Sequence, residues 1–158
     1  SGQAVSGKDF GLLPPECNPS LVDLYEALND DLFSTTGVTL TVNMSQTHNF
    51  HTLDDEDWVQ VDLQAGSTYT FTVDAAGARA DTLLALFAPD GVTQLAQNDD
   101  ADLPNFSSQI VWVATTTGTH YLRVTQLNPP ILGGCDTDYT LTLTALLRTF
   151  LYLPIIRR

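Results

Sequence analysis

From Val38 onward, apolar and polar residues trade places at nearly every step, in runs too short for helices. Val38, Leu40 and Val42 alternate with Thr39, Thr41 and Asn43. Val59, Val61 and Leu63 alternate with Gln60, Asp62 and Gln64, and Tyr69, Phe71 and Val73 with Thr70 and Thr72. A period of two puts one face of each run in a core and the other in water, which is the pattern of half-buried strands. Thr82 to Phe87 reads as a core strand, and Thr93–Gln97, Ser107–Ala114, Thr119–Gln126 and Asp138–Ala145 as later ones. Ala65-Gly66-Ser67 is expected to close a hairpin, and Pro89-Asp90-Gly91 and Thr116-Thr117-Gly118 to make turns. Many short strands at regular spacing predict an all-β sandwich or Greek-key barrel.

Two segments break the pattern. Ser20 to Phe33 has helical spacing, with Leu21, Leu24, Tyr25, Leu28 and Leu32 on one face and a capping box from Ser20 to Asp23. It is the one predicted helix, and residues 1–19 form an irregular lead-in. At the other end, Leu146 to Ile156 is rich in apolar residues and follows a complete last strand. An apolar strand there needs an edge or groove to cover it. It either folds back on its own sandwich or is donated to a neighbour, through Phe150, Leu151, Tyr152, Leu153, Ile155 and Ile156. The expected organisation is a lead-in at 1–19, a β domain at 20–145 and an apolar strand or tail at 146–158.

Six basic residues face nineteen acidic ones in 158, a formal net charge of −13. That surface repels nucleic acid and anionic lipid, and no apolar run approaches the roughly 20 residues that span a membrane. Cys17 and Cys135 form no CxxC or Cys/His cluster. In an extracellular protein a bridge between them stabilises by about 4–5 kcal/mol in the chain-entropy model. The alternative is a pair of buried thiols. The opening Ser1-Gly2-Gln3 reads as a start left by signal-peptide removal, or as a joining scar.

The sequence contains no G-x-S-x-G elbow, and no Ser or Cys has a recognisable base partner, so no catalytic residue is assigned. The acids are the remaining chemistry. Asp54, Asp55, Glu56 and Asp57 form the densest set, and Asp23, Glu26, Asn29, Asp30 and Asp31 a second. Hard cations such as calcium take six to eight oxygens, which carboxylates and carbonyls supply. The competing reading is a solvated turn and the polar face of a helix. Asn98, Asp99, Asp100 and Asp102 read as turn residues. His48 and His51 read as polar positions flanking a buried Phe50, since a third soft ligand is not evident.

These residues, taken together, resemble the bacterial pre-peptidase C-terminal domain family, which is similar to the collagen-binding domains of secreted collagenases. The resemblance runs over about residues 20–145. It is carried by Gln46 to His51, Asp54 to Trp58, Val61 to Gly66, Tyr69 to Phe71, Asp81 to Leu84, Ala88 to Gly91, Asn98 to Asp100, Gly118, Tyr121 to Val124 and Asp138 to Leu141. It implies a jelly-roll-like β-sandwich of a secreted bacterial protein, without catalysis of its own. It also implies calcium held by Glu26, Asn29, Asp30, Asp54 and Asp57, with Tyr139 offering a main-chain oxygen; Asp55 and Glu56 are then solvated neighbours. The family's N-terminal piece reads like Tyr-Glu-Pro-Asn-Asp. Here Tyr25 to Asp30 has an extra residue and no proline. No exposed aromatic row suited to collagen is identifiable.

The expected function is a non-enzymatic extracellular or cell-surface module acting in structure or adhesion. It self-associates into an oligomer or filament by donating its terminal strand, or engages an extracellular protein ligand. The alternative is an accessory substrate-binding module of a secreted peptidase or other hydrolase.

Overall fold

The computed structural model describes residues 22–52, 54–75, 77, 79–101, 107–127 and 136–147. Eight strands are defined: β1 Met44–Asn49, β2 Glu56–Leu63, β3 Thr68–Ala75, β4 Thr82–Phe87, β5 Gln94–Asn98, β6 Ser108–Val113, β7 Gly118–Gln126 and β8 Asp138–Leu146. They form two four-stranded antiparallel sheets, ordered β1-β8-β3-β6 and β2-β7-β4-β5. The chain is an all-β sandwich, as its alternation requires.

The alternating residues meet between the sheets. Val59, Val61 and Leu63 of β2 face Phe71 and Val73 of β3, with Leu84, Leu86, Leu122, Val124, Leu141 and Leu143 completing a buried core. Their polar neighbours lie on the outer faces, where Thr70 pairs with Thr144 and Val111, and Thr72 with Thr142 and Gln109.

The expected hairpin at Ala65-Gly66-Ser67 is corrected. β2 pairs with β7, and β3 with β6 and β8, so the turn carries the chain from one sheet to the other. Local hydrogen bonds hold the crossing. The Gln64 N–H donates to the Tyr69 hydroxyl oxygen at 2.8 Å. Gly66 N–H donates to Ala114 O at 2.8 Å, and Ala114 N–H to Ser67 O at 3.0 Å. Alternation alone fits a hairpin and an inter-sheet arch equally well. Consecutive strands pair in one case, β4 with β5. That turn depends on Gly91, whose φ is +66° and where an added Cβ would stand 2.0 Å from the Phe33 ring.

The predicted helix over Ser20–Phe33 shrinks, among its described residues, to a single 3-10 turn at Glu26–Leu28. The Asp23 carboxylate takes the Tyr25 N–H at 2.7 Å, and Asn29, at φ 56°, ends the turn in the left-handed region. Among the described residues of the expected apolar face, only Tyr25 packs on the core, while Leu24 is 85% exposed, Leu32 56% and Leu28 44%. Most helical stability in proteins comes from burying such a face. Segment 30–40 instead runs along the β2 edge. Trp58 N–H donates to Asp30 O at 2.7 Å, Gln60 N–H to Val38 O at 2.9 Å, and Leu40 N–H to Gln60 O at 2.9 Å. The strand expected at Val38–Val42 is thus one parallel bridge, Thr39 to Gln60, with Val38 and Leu40 buried. The segment blunts an otherwise open edge. Its Phe33 also packs on Trp58 and Tyr121 on the outer face, beside Arg123, whose guanidinium lies 5.5 Å from the Trp58 ring centroid.

Cys17, Cys135 and the Phe150–Ile156 segment lie outside the described residues. Among those described, no helix is long and apolar enough to cross a membrane.

Candidate cation site

The acids gather at one end of the sandwich. Asp23, Glu26 and Asp30 come from the N-terminal segment, and His48 from β1. His51 and Asp55 come from the loop after it, Asp57 from β2 and Tyr139 from β8. Strand parity explains the inward acids. Asp57 shares a face with Val59, Val61 and Leu63, so it points into the sandwich and is fully buried. There the Tyr139 hydroxyl donates a short hydrogen bond to Asp57 Oδ2. His48 pairs with Tyr139 across β1 and β8, and its ring stacks between Tyr25 at 4.3 Å and Tyr139 at 5.4 Å.

Asp23 and Asp55 are held in place by hydrogen bonds. Asp23 accepts the N–H of Tyr25 at 2.7 Å and that of Asn49 at 2.9 Å. Asp55 Oδ2 accepts the His51 N–H at 2.6 Å and lies 2.7 Å from His51 Nδ1. His51 Nδ1 also lies 2.7 Å from Glu26 Oε1. Three triplets present ligand atoms within 4.8 Å of one another: Asp23, Glu26 and Asp57; Asp23, Asp30 and His48; and Glu26, His51 and Asp55. Both oxygens of Asp30, and one each of Asp55 and Asp57, are buried without a hydrogen-bond partner.

Burial, together with the crowding of carboxylates, perturbs Glu26, Asp30, Asp55, Asp57 and both histidines. Burial, with the neighbouring Asp55 and Asp30 charges, pushes Glu26 up to about 7. Burial lifts Asp30 to about 6. Burial raises Asp55, and burial plus the Asp55 charge holds Asp57 well above the usual carboxylate range. Burial drives His48 down to about 4. Burial also pulls on His51, but the Asp55 and Glu26 carboxylates outweigh it and leave it raised.

A pH prediction follows for the cation-free chain. An acid whose pKa is higher folded than unfolded binds more protons in the native state, so its contribution is lost as pH rises through the folded value. With Glu26 near 7 and Asp30 near 6, that loss falls between about pH 4 and pH 7. His51 acts in the same direction. His48, depressed to about 4, opposes it below its unfolded value. Four raised acids and one raised histidine outnumber it. The chelated protein is therefore expected to melt higher at pH 5.5 than at pH 8 in thermal scans; a melting temperature that rises with pH would contradict this.

The residues named from the sequence divide. Glu26, Asp30, Asp57 and Tyr139 converge here, Tyr139 through its side-chain hydroxyl. Asp54 and Asn29 are exposed. Asp55, expected in solvent, is buried, and Asp23, His48 and His51 join it. Asp99 and Asp100 sit in a turn, where Asp99 Oδ1 accepts the Asp100 N–H.

Residues 55–126 match the family model of the bacterial pre-peptidase C-terminal domain. Over that stretch, β2 to β7 of the sandwich, the chain is similar to a pre-peptidase C-terminal domain. Its sandwich is similar to that of the pre-peptidase C-terminal domain of Bacillus anthracis collagenase, at TM-score 0.50 and 13% identity over 68% of this chain and 93% of that one. It is equally similar, at TM-score 0.50 and 16% identity over 69% and 96%, to a periplasmic inhibitor of g-type lysozyme from Aeromonas hydrophila. At these identities the likeness is one of fold. No curated protein matches this chain.

Proposed function

We propose that this sandwich is a non-enzymatic extracellular structural or adhesive module. Its C-terminal segment joins it to a neighbouring copy. The observation that carries this reading is the apolar rim at the end of β8. Leu146, the last residue of β8, stands opposite Thr68, and Thr68 stands opposite Val113 of β6. Leu146 is 80% exposed, Leu147 58%, Val111 61% and Val113 56%. Contiguous exposed apolar surface marks an association site. The β6 strand beside this rim is a sheet edge able to accept an added strand. The apolar residues Phe150, Leu151, Tyr152, Leu153, Ile155 and Ile156 follow directly in the sequence.

Truncation after Ala145 tests the joint by light scattering and electron microscopy. The full chain is expected to assemble and the truncated chain to remain a folded monomer. Unchanged assembly would remove the donated strand from the account. Two monomeric forms would favour the accessory module of a secreted hydrolase.

The same reading gives the acid cluster a structural task. Its side chains are filled in by the protein's own N-terminal segment: Asp57 and His48 are fully buried, Asp55 is 1% exposed and Glu26 13%. A substrate has no access to such a knot, but a bare cation does. Asp23, Glu26 and Asp57 supply an all-oxygen triplet suited to calcium, with unpartnered oxygens of Asp30 and Asp57 beside it. Calcium there fastens the segment that covers the β2 edge.

A further inference from the structure

The two histidines of the cluster stand in different relations to the acids. His51 Nδ1 is 2.7 Å from Glu26 Oε1 and 2.7 Å from Asp55 Oδ2. Asp55 Oδ2 is a hydrogen-bond partner of that nitrogen and Glu26 Oε1 an ion-pair neighbour, so both carboxylates already engage His51. His48 Nδ1 is 3.5 Å from Asp23 Oδ2 and 3.9 Å from Asp30 Oδ2. Those gaps are too long for hydrogen bonds. The His48 side chain is fully buried, its Nδ1 has no hydrogen-bond partner, and neither oxygen of the 1%-exposed Asp30 has one. A buried ring nitrogen and a buried carboxylate thus stand 3.9 Å apart, neither with a hydrogen-bond partner among the described residues.

The spacing suits a small cation. Donors each about 2.1 Å from a tetrahedral ion stand about 3.4 Å apart, and somewhat farther at wider angles. We infer that Asp23, Asp30 and His48 Nδ1 form a mixed nitrogen–oxygen seat for a borderline divalent cation of the zinc class, beside the all-oxygen triplet. Calcium prefers oxygen donors throughout, whereas imidazole suits zinc.

The surroundings orient this seat. The His48 ring is clamped between Tyr25 and Tyr139 at interplanar angles of 24° and 10°, so it has no room to swing. Its Nε2 lies 3.5 Å from Gln46 Oε1, on the side of the ring away from the acids that Nδ1 faces. The N–H groups of Tyr25 and Asn49 fix the Asp23 carboxylate. Burial keeps the imidazole neutral at pH 7, so a metal displaces no proton from it. The seat shares Asp23 with the all-oxygen triplet and draws on Asp30, whose oxygens also flank that triplet; His48 belongs to the seat alone.

The test uses the untagged full chain, stripped with chelator and then held in saturating calcium. Titration with zinc chloride, followed by calorimetry and by metal analysis after dialysis, is expected to show one bound zinc. His48→Gln is expected to weaken zinc at least about 100-fold, given that loss of mere outer-shell partners already costs 10–100-fold. His51→Gln is expected to keep zinc binding. His48→Gln should still gain thermal stability from calcium, which separates a lost zinc seat from a lost fold. Should that variant not fold, the ring-nitrogen NMR resonances of the wild-type chain decide. His48 Nδ1 is expected to shift on zinc addition while His51 and His120 stay in place. No zinc uptake, zinc bound equally by His48→Gln, zinc that merely replaces calcium one for one, or an unmoved His48 resonance would each overturn the seat. Zinc binding in a chain indifferent to calcium would leave this seat standing and remove the calcium proposal alone.

Discussion

Saturating the chelated protein with calcium is expected to raise its melting temperature by about 5–15 °C. The cation-free cluster sets several carboxylates against one another in a buried space, and some of their oxygens lack hydrogen-bond partners. Like charges at such separations disfavour ionisation, so the native state keeps protons that the unfolded chain releases at neutral pH. A cation that binds only the native state removes this penalty and adds its own binding free energy. At 100 to 1,000 times its dissociation constant it stabilises by about 2.7–4.1 kcal/mol. For a domain of this size each kcal/mol shifts the midpoint by about 2–4 °C. Asp57→Asn should cancel most of the rise while changing the chelated protein little, because Asp57 is already held far above the usual carboxylate range. Asp54→Asn should leave the rise intact, since Asp54 is exposed. Scanning calorimetry with calcium and with chelator checks all three. Identical wild-type curves would mean that the cluster is not a calcium site.

The alternation from Val38 onward was enough to place the core. Every apolar member of the β2 and β3 runs named from the sequence is buried between the sheets. Parity also carried more than the acid spacing did. Asp55 and Asp57 share the odd parity of Val59 and Val61, whereas Asp54 has the parity of the outward Trp58 and Gln60. Reading the acids on the strand's own period, rather than as a charge run, selects the buried pair. What stayed illegible has physical causes. An arch and a hairpin demand the same turn residues, so the Ala65-Gly66-Ser67 crossing is decided by which partners β2 and β3 find, at β7 and β8, far along the chain. β1 is a polar edge strand, Met-Ser-Gln-Thr-His-Asn, with little apolar alternation to betray it. The Ser20–Phe33 stretch has helical spacing, but Asp23 and Asn29 offer the backbone a tighter turn, and the chain spends itself on the β2 edge instead.

Phe71→Ala is expected to cost about 3–5 kcal/mol, the usual range for emptying a buried aromatic site. Phe71 sits on the inner face of β3, fully buried among strands of both sheets, so the surrounding sheets limit collapse into the space it leaves. The adjacent Thr70 is on the opposite face, paired with Thr144 on one side and Val111 on the other. Thr70→Ala trims two cross-strand contacts on a half-buried outer face and should cost less than about 1 kcal/mol. One residue of separation thus divides a loss that can consume a third or more of a typical domain's 5–15 kcal/mol from one that barely registers. Urea denaturation of both variants measures the contrast. Comparable losses would mean that β3 is not one wall of a two-sheet core; a large loss at Phe71 alone fixes its register, and with it the inward direction of the β8 face that carries Tyr139 into the acid cluster.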